Sequence, residues 1–302
     1  MDIITEIKRL KEEKNALILA HLYQRPEIQD IADIVGDSYF LSKKAMESSS
    51  NLIVFCGVRF MAESAKILSP EKKVLLPANE ARCPMADMAI TERLMDLKSQ
   101  HPDAKIISYI NTNLDIKAVS DVCVTSSSAL KIMNNIKEKE IIFLPDRNLG
   151  EYISEHFPDK EFILYQGFCP THERITSEDI IEVKKRYPAY EVLVHPECNK
   201  PVRDLADYIG STSEIIDYSV SSDSNGFIVV TEQGVLHQME LKSPTKEFIQ
   251  LKEPMICPNM KMTTLDDLYS CLLNESNEII INEDERKKAL KALQNMHLLG
   301  DR

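Results

Sequence analysis

The stretch ALILAHLY at 16–23 is an apolar run ending in polar residues, and its pattern returns as KIISYIN at 105–111 and EVLVHPE at 191–197. Around each run the same order of features recurs. A Ser/Thr-rich helix start follows, at Gly36-Asp37-Ser38, Thr125-Ser126-Ser127-Ser128 and Gly210-Ser211-Thr212-Ser213. A second β-rich run comes next: LIVFC at 52–56, EIIFL at 140–144 and FIVVT at 227–231. A third strand is predicted to start at Val74, Glu161 and Glu247, and each block closes on a Cys-Pro pair, at Cys83, Cys169 and Cys257. The interval from His21 to Ser38 is repeated without change from Tyr109 to Ser126 and from His195 to Thr212, and the three Cys-Pro cysteines are almost evenly spaced. A period near 87 held over three blocks marks internal repetition.

Short β-rich runs alternating with amphipathic helical stretches are the pattern of parallel α/β units. The chain is therefore expected to fold as three small α/β domains related by approximate threefold symmetry. Their bounds are placed at 15–84, 85–170 and 171–258, with terminal helical segments at 1–14 and 259–302 packing on them. Helices near 85–98 and 176–187 are predicted to link the domains, and the tail is predicted as helix 265–273, strand 278–281 and helix 283–299. In parallel sheets, function gathers at the carboxyl ends of strands, where the polar residues named above fall.

A chain of 302 residues with an ordinary balance of apolar and charged side chains can bury ample core. No apolar run is long enough to cross a bilayer, and segment 1–14 mixes both charge signs on an amphipathic pattern (Ile3, Ile4, Ile7, Leu10) unlike a signal peptide. The cytoplasm is the expected location. A net charge of −12 argues against nucleic-acid and acidic-membrane surfaces, so any anion site must be built locally. Seven cysteines, an odd number, disfavour a disulfide framework and favour metal binding or reactive thiols.

With proline near 5% of residues, seven cysteines would give about 0.3 Cys-Pro pairs by chance. Three pairs at one repeat position point to a shared centre that takes one thiolate from each domain. Three thiolates leave a four-coordinate metal one ligand short, the mark of a reactive centre. All-thiolate ligation suits zinc and iron–sulfur clusters alike. Cys56 and Cys123 read as small core residues, Cys271 as the apolar side of a helix, and Cys198 as structural beside a site motif.

Ser38, Ser126 and Thr212 are expected at helix starts, where capping is ordinary and anion binding is compatible with it. His21 and His195 end corresponding strands, and His172 follows Cys169 by three residues. Tyr23, Tyr109, Asn111 and Glu197 share those strand ends, with Glu197 the first candidate for proton transfer and Tyr23 the second. His101, His156, His237 and His297 read as surface residues without a role.

The strings LAHLYQ, GDSYFLSKKA, FCGVRFMAESAKIL, ARCPMADM, YINTN, SDVCVTSSSA, FLPDRNLG, GFCPTHERIT, VHPECNKPVRDLADYIGSTSEI and ICPNMKMTTL resemble the quinolinate synthase family from about 15 to 273. The resemblance implies three αβα domains around a central cavity, and a [4Fe-4S] cluster held by Cys83, Cys169 and Cys257. It implies a transferase of NAD biosynthesis that condenses iminoaspartate with dihydroxyacetone phosphate to quinolinate, phosphate and water, with a functional link to the enzyme that makes iminoaspartate. The family's substrate-binding positions fall on His21, Ser38, Tyr109, Asn111, Ser126, His195, Glu197 and Thr212, with Tyr23, His172 and Ser211 also lining the pocket. Its proton transfer falls on Glu197 and Tyr23, assisted by His21 and Tyr109. The alternative is a zinc-dependent hydrolase or deaminase with three-cysteine ligation. His195-Pro196-Glu197 fits the H-x-E half of a deaminase signature, but the P-C-x-x-C half is absent.

Overall fold

The computed structural model describes residues 2–301. Each repeat forms one four-stranded, all-parallel sheet. The first consists of β1 (Ala16–His21), β2 (Ile34–Gly36), β3 (Leu52–Cys56) and β4 (Lys73–Leu75). The second has β5 (Lys105–Tyr109), β6 (Val122–Val124), β7 (Glu140–Leu144) and β8 (Glu161–Leu164). The third has β9 (Glu191–Val194), β10 (Tyr208–Ile209), β11 (Gly226–Val230) and β12 (Glu247–Ile249).

The spatial orders are β2-β1-β3-β4, β6-β5-β7-β8 and β10-β9-β11-β12, so in each sheet the chain reverses direction across the first strand. That reversal opens a crevice at the strand's carboxyl end, the position of His21, Tyr109 and the residues after Val194. The central strands read as unbroken apolar runs because both faces are covered; β3 and β11 are buried at every residue.

Three strands were expected in each repeat and four are present, because β2, β6 and β10 are too short to carry a pattern. At 278–281 there is no strand, only a single antiparallel bridge between Leu75 and Glu278. Four residues closing directly onto the cap of the next helix make no room for a ladder. The predicted 85–98 helix is two helices, Pro84–Met88 and Thr91–Gln100, broken at extended Ala89 and Ile90.

The repetition reaches single atoms. Asp33, Asp121 and Asp207 each accept from a first-strand N–H, of Ile18, Ile106 and Val192, at 2.9, 3.0 and 2.8 Å. Lys72, Lys160 and Lys246 each donate to carbonyls that follow a helix: Ser48 at 2.6 Å, Glu138 at 2.9 Å and Ser222 at 2.6 Å. The lysines occupy carbonyls that follow a helix, and the aspartates take up first-strand N–H groups, so both tie the connections to their sheet.

The C-terminal helix Glu283–Gly300 buries Ala289, Ala292, Leu293 and Met296 in one core with Leu19 and Ile53 of the first repeat and Val122 and Ile141 of the second. Helix Ile3–Glu13 buries Ile7 and Leu10 beside Leu268 and Leu272 of helix Leu265–Asn274. Among the described residues, no helix is long and apolar enough to cross a membrane.

Candidate active site and metal centre

The carboxyl ends of the three sheets converge on one cavity. Cys83, Cys169 and Cys257 line it, together with His21, Tyr23, Ser38, Tyr109, Asn111, Ser126, His172, His195, Glu197 and Thr212. Ser211 is not among its lining residues. Its hydroxyl accepts from Glu214 N in a capping box, where it starts helix Thr212–Ser221.

Capping is divided differently from the sequence expectation, and the division frees the cavity hydroxyls. Asp37 caps helix Ser38–Glu47 by accepting from Phe40 N, and Ser211 caps the helix that begins at Thr212. Ser38 and Thr212 are therefore first-turn residues whose side chains are not used for capping and face the cavity. In the second repeat, the helix is the short Ala129–Met133, and Ser126 lies in the turn before it. Asn111 Oδ1 is buried without a hydrogen-bond partner, an acceptor that a bound molecule would satisfy.

The acid–base groups form one connected set. Glu197 Oε1 accepts from the Tyr109 hydroxyl at 2.7 Å, and Oε2 lies 2.9 Å from His172 Nδ1. His172 Nε2 is 3.0 Å from Thr231 Oγ1, which is 2.9 Å from the Tyr23 hydroxyl. Tyr23 is also 2.9 Å from Thr212 Oγ1. A hydrogen-bonded path thus runs from Tyr23 through Thr231 and His172 to Glu197. His172 stacks on His195 with ring centroids 4.9 Å apart.

Burial alone would raise the Glu197 carboxyl; the His195 and His172 imidazoles and the Tyr109 hydroxyl outweigh it and hold the group below the usual carboxylate range. Burial lowers His21 and His195 to about 3, so both imidazoles are neutral near pH 7. Burial first, and then the Glu197 charge, push Tyr23 and Tyr109 well above the ordinary phenol value. Glu197 is therefore a carboxylate that the Tyr109 hydroxyl donates to, with the neutral His21 and His195 imidazoles nearby in the same cavity.

Each cysteine opens a turn whose backbone N–H groups favour the thiolate: Ala86 and Met85 for Cys83, His172 for Cys169, Met260 and Asn259 for Cys257. Burial works against them and dominates, raising Cys83 to about 12 and Cys169 and Cys257 above the ordinary thiol value. Backbone dipoles aimed at three soft sulfurs that remain protonated without a cation fit a thiolate-ligated metal centre. Cys169, His172 and Glu197 also bring three potential ligand atoms within 4.8 Å of one another.

The structure adds residues not singled out in the sequence. Thr231, at the end of the third sheet's second strand, completes the hydrogen-bonded path. Glu232 pairs with Lys261 at 3.0 Å and accepts from Cys257 N at 3.2 Å, while Lys261 also donates to Tyr23 O. The usable signal was the carboxyl end of β11, which meets the same crevice as β9. Cys56, Cys123, Cys198 and Cys271 are buried free thiols away from the cavity lining. Of the four histidines read as surface residues, His297 is half-buried, with Nε2 3.3 Å from Ser42 Oγ.

The family model described as "Quinolinate synthetase A protein" matches residues 5–298. Proteins named quinolinate synthase from Clostridium perfringens strain 13 and Clostridioides difficile strain 630 are 58% and 54% identical to this chain, each over 300 residues. These alignments cover 99% of the chain, and 100% and 99% of the respective relatives. A protein of that name from Alkaliphilus metalliredigens is 50% identical over 98% of the chain and 97% of its own length. These names do not favour the zinc-hydrolase alternative, and the chain belongs to the quinolinate synthetase A family.

Proposed function

We propose that this chain is a quinolinate synthase that condenses iminoaspartate with dihydroxyacetone phosphate, releasing phosphate and water. The observation that carries the reading is the meeting of three Cys-Pro thiols with one hydrogen-bonded carboxylate in a single cavity of a family member. Cys83, Cys169 and Cys257 would hold a [4Fe-4S] cluster, which supplies a Lewis-acidic iron without a protein ligand of its own.

The chain's own groups supply position and protons. The first-turn hydroxyls of Ser38 and of Thr212, the latter already paired with the Tyr23 hydroxyl, each stand at the positive end of a ten-residue helix and suit the phosphate and carboxylate oxygens of the substrates. Ser126 and Asn111 add neutral polar contacts from the second repeat. Glu197, ionised and directed by Tyr109 and His172, is the general base; a proton taken by Tyr23 can pass along Thr231 and His172 to the carboxylate. Neutral His21 and His195 can hydrogen-bond substrate oxygens without adding charge. Domain bounds at 15–84, 85–170 and 171–258, with segments 1–14 and 259–302 packed on them, belong to the same proposal, as does a cytoplasmic location.

The test is anaerobic purification, counts of iron, acid-labile sulfide and zinc, and an assay of quinolinate from the two substrates. The expected result is iron and sulfide near four each per chain, with product formed. Zinc in place of iron, or an intact cluster with no product, overturns the proposal. Cys83→Ala is expected to lose both cluster and turnover; a colourless, fully active variant would refute the ligand assignment.

A further inference from the structure

Gln29, Lys117 and Arg203 recur at the period of the repeat, one in each block, and all three are buried. Each donates to backbone carbonyls of the loop that follows its repeat's first strand and carries cavity residues. Gln29 Nε2 reaches Leu22 O and Gln24 O at 3.0 Å each, around Tyr23. Lys117 Nζ reaches Ile110 O at 2.8 Å and also Thr112 O, around Asn111. Arg203 Nη1 reaches Cys198 O at 3.1 Å, next to Glu197.

Each side chain also touches a neighbouring repeat, again at one equivalent position. Gln29 donates to Gly234 O at 2.9 Å, Arg203 donates to Asn148 O at 2.9 Å, and Lys117 lies 5.4 Å from the Phe60 ring centroid. The three residues thus share one structural task. They differ in charge. Gln29 has none, and Arg203 is answered by Glu151 and Glu155 at 3.0 and 3.1 Å. Lys117 is fully buried and, among the described residues, has no ion-pair partner; its donors go to carbonyls and a hydroxyl.

A buried ammonium without a counter-anion is costly, and Gln29 demonstrates that a neutral amide suffices to hold such a loop. The charge at Lys117 is therefore surplus to the fold. Burial disfavours the Lys117 ammonium, and Cys123, Glu63, Cys83 and Asp115 favour it in that order; of these four, Cys83 alone lines the cavity, as does Phe60, whose ring centroid lies 5.4 Å from the ammonium. We propose that Lys117, one side-chain layer behind the cavity wall, is the counter-cation for the negative charge that a thiolate-ligated metal centre brings to Cys83. The proposal rests on the cluster reading above.

The test compares full-length wild type with Lys117→Gln and Lys117→Arg, each first free of metal and then reconstituted anaerobically with iron and sulfide. Thermal midpoints are measured on the metal-free proteins, and cluster midpoint potentials by titration monitored spectroscopically. Metal-free K117Q is expected to fold and to melt above metal-free wild type, because an uncompensated buried charge is gone. Its cluster potential should shift negative, since a reduced centre has lost a nearby cation, while K117R keeps the wild-type potential. Equal potentials in K117Q and wild type overturn the proposal, as does an equal shift in K117R. Failure of K117Q to fold also overturns it, because the charge would then belong to the fold. Wild type that assembles no cluster refutes the parent reading instead, before any variant is compared.

Discussion

Replacing Lys261 with Met removes one partner of a buried pair while Glu232, with a side chain of zero exposure, remains. The charges lie 3.0 Å apart. At that separation and an effective dielectric near 20, the attraction is on the order of 5 kcal/mol before desolvation is counted. Glu232 keeps two backbone donors, Gly234 N at 2.7 Å and Cys257 N at 3.2 Å, so the carboxylate is not left bare. Burial already raises its pKa, and protonation will absorb part of the loss. The net cost therefore falls at the lower end of the range for breaking a buried pair, about 3 kcal/mol.

Lys261 also donates to Tyr23 O, and Glu232 holds Cys257 N, so this one pair ties the turn after β1 to the loop of the third cysteine. Iron per chain should fall along with stability. The assay is urea unfolding of metal-free K261M, E232Q and the double variant, with iron counted after reconstitution. Because both singles break the same contact, the double variant should cost less than their sum by at least about 1 kcal/mol. A K261M variant within about 0.5 kcal/mol of wild type, or strictly additive singles, would refute the reasoning.

Glu197→Gln should keep its iron and lose roughly 10²- to 10⁴-fold in turnover, since the amide cannot take a proton; quinolinate formation on a cluster-matched sample measures it. Gly234→Ala would place a Cβ 2.8 Å from Leu22 O and from Tyr23 C, backbone atoms of another repeat that cannot rotate away. A loss of about 2–3 kcal/mol in denaturant unfolding is expected, and an unchanged midpoint would contradict the close approach. Glu275 is held at about 2 by hydrogen bonds from Lys14 and Lys73. A carboxyl lowered on folding stabilises above its ordinary value near 4.5, and that contribution is lost as pH falls from there toward 2. The Glu275 side chain is 35% exposed. Solvent screening reduces the contribution of such a pair to about 0.5 kcal/mol, so the stability curves of wild type and E275Q should differ at pH 7 and converge as pH falls to about 2.

The sequence by itself determined the repeat, its period and its consequence. Apolar runs ending in polar residues, and Cys-Pro pairs in fixed register, are local patterns repeated along the chain. Parallel sheets bring their carboxyl ends to one side whatever the connecting helices do in detail. Tyr109, Asn111, His195 and Glu197 were legible for that reason, as were the three thiols.

Only the tertiary structure decided matters set by through-space neighbours. Strands as short as Tyr208–Ile209 exist because β9 offers them a ladder, not because two residues carry a pattern. Segment 278–281, Glu-Ile-Ile-Ile, is β-rich in composition yet finds only one bridge, at Leu75. The choice of Asp37 and Ser211, rather than Ser38 and Thr212, as caps depended on where each helix began by one residue. Lys261 meets Tyr23 from the far end of the chain, and Arg203 has Glu151 and Glu155 beside it where Lys117, among the described residues, has no ion-pair partner. Hydrophobic periodicity is written residue by residue, but the environment of a buried charge is a property of the folded neighbourhood, which no spacing in the sequence records.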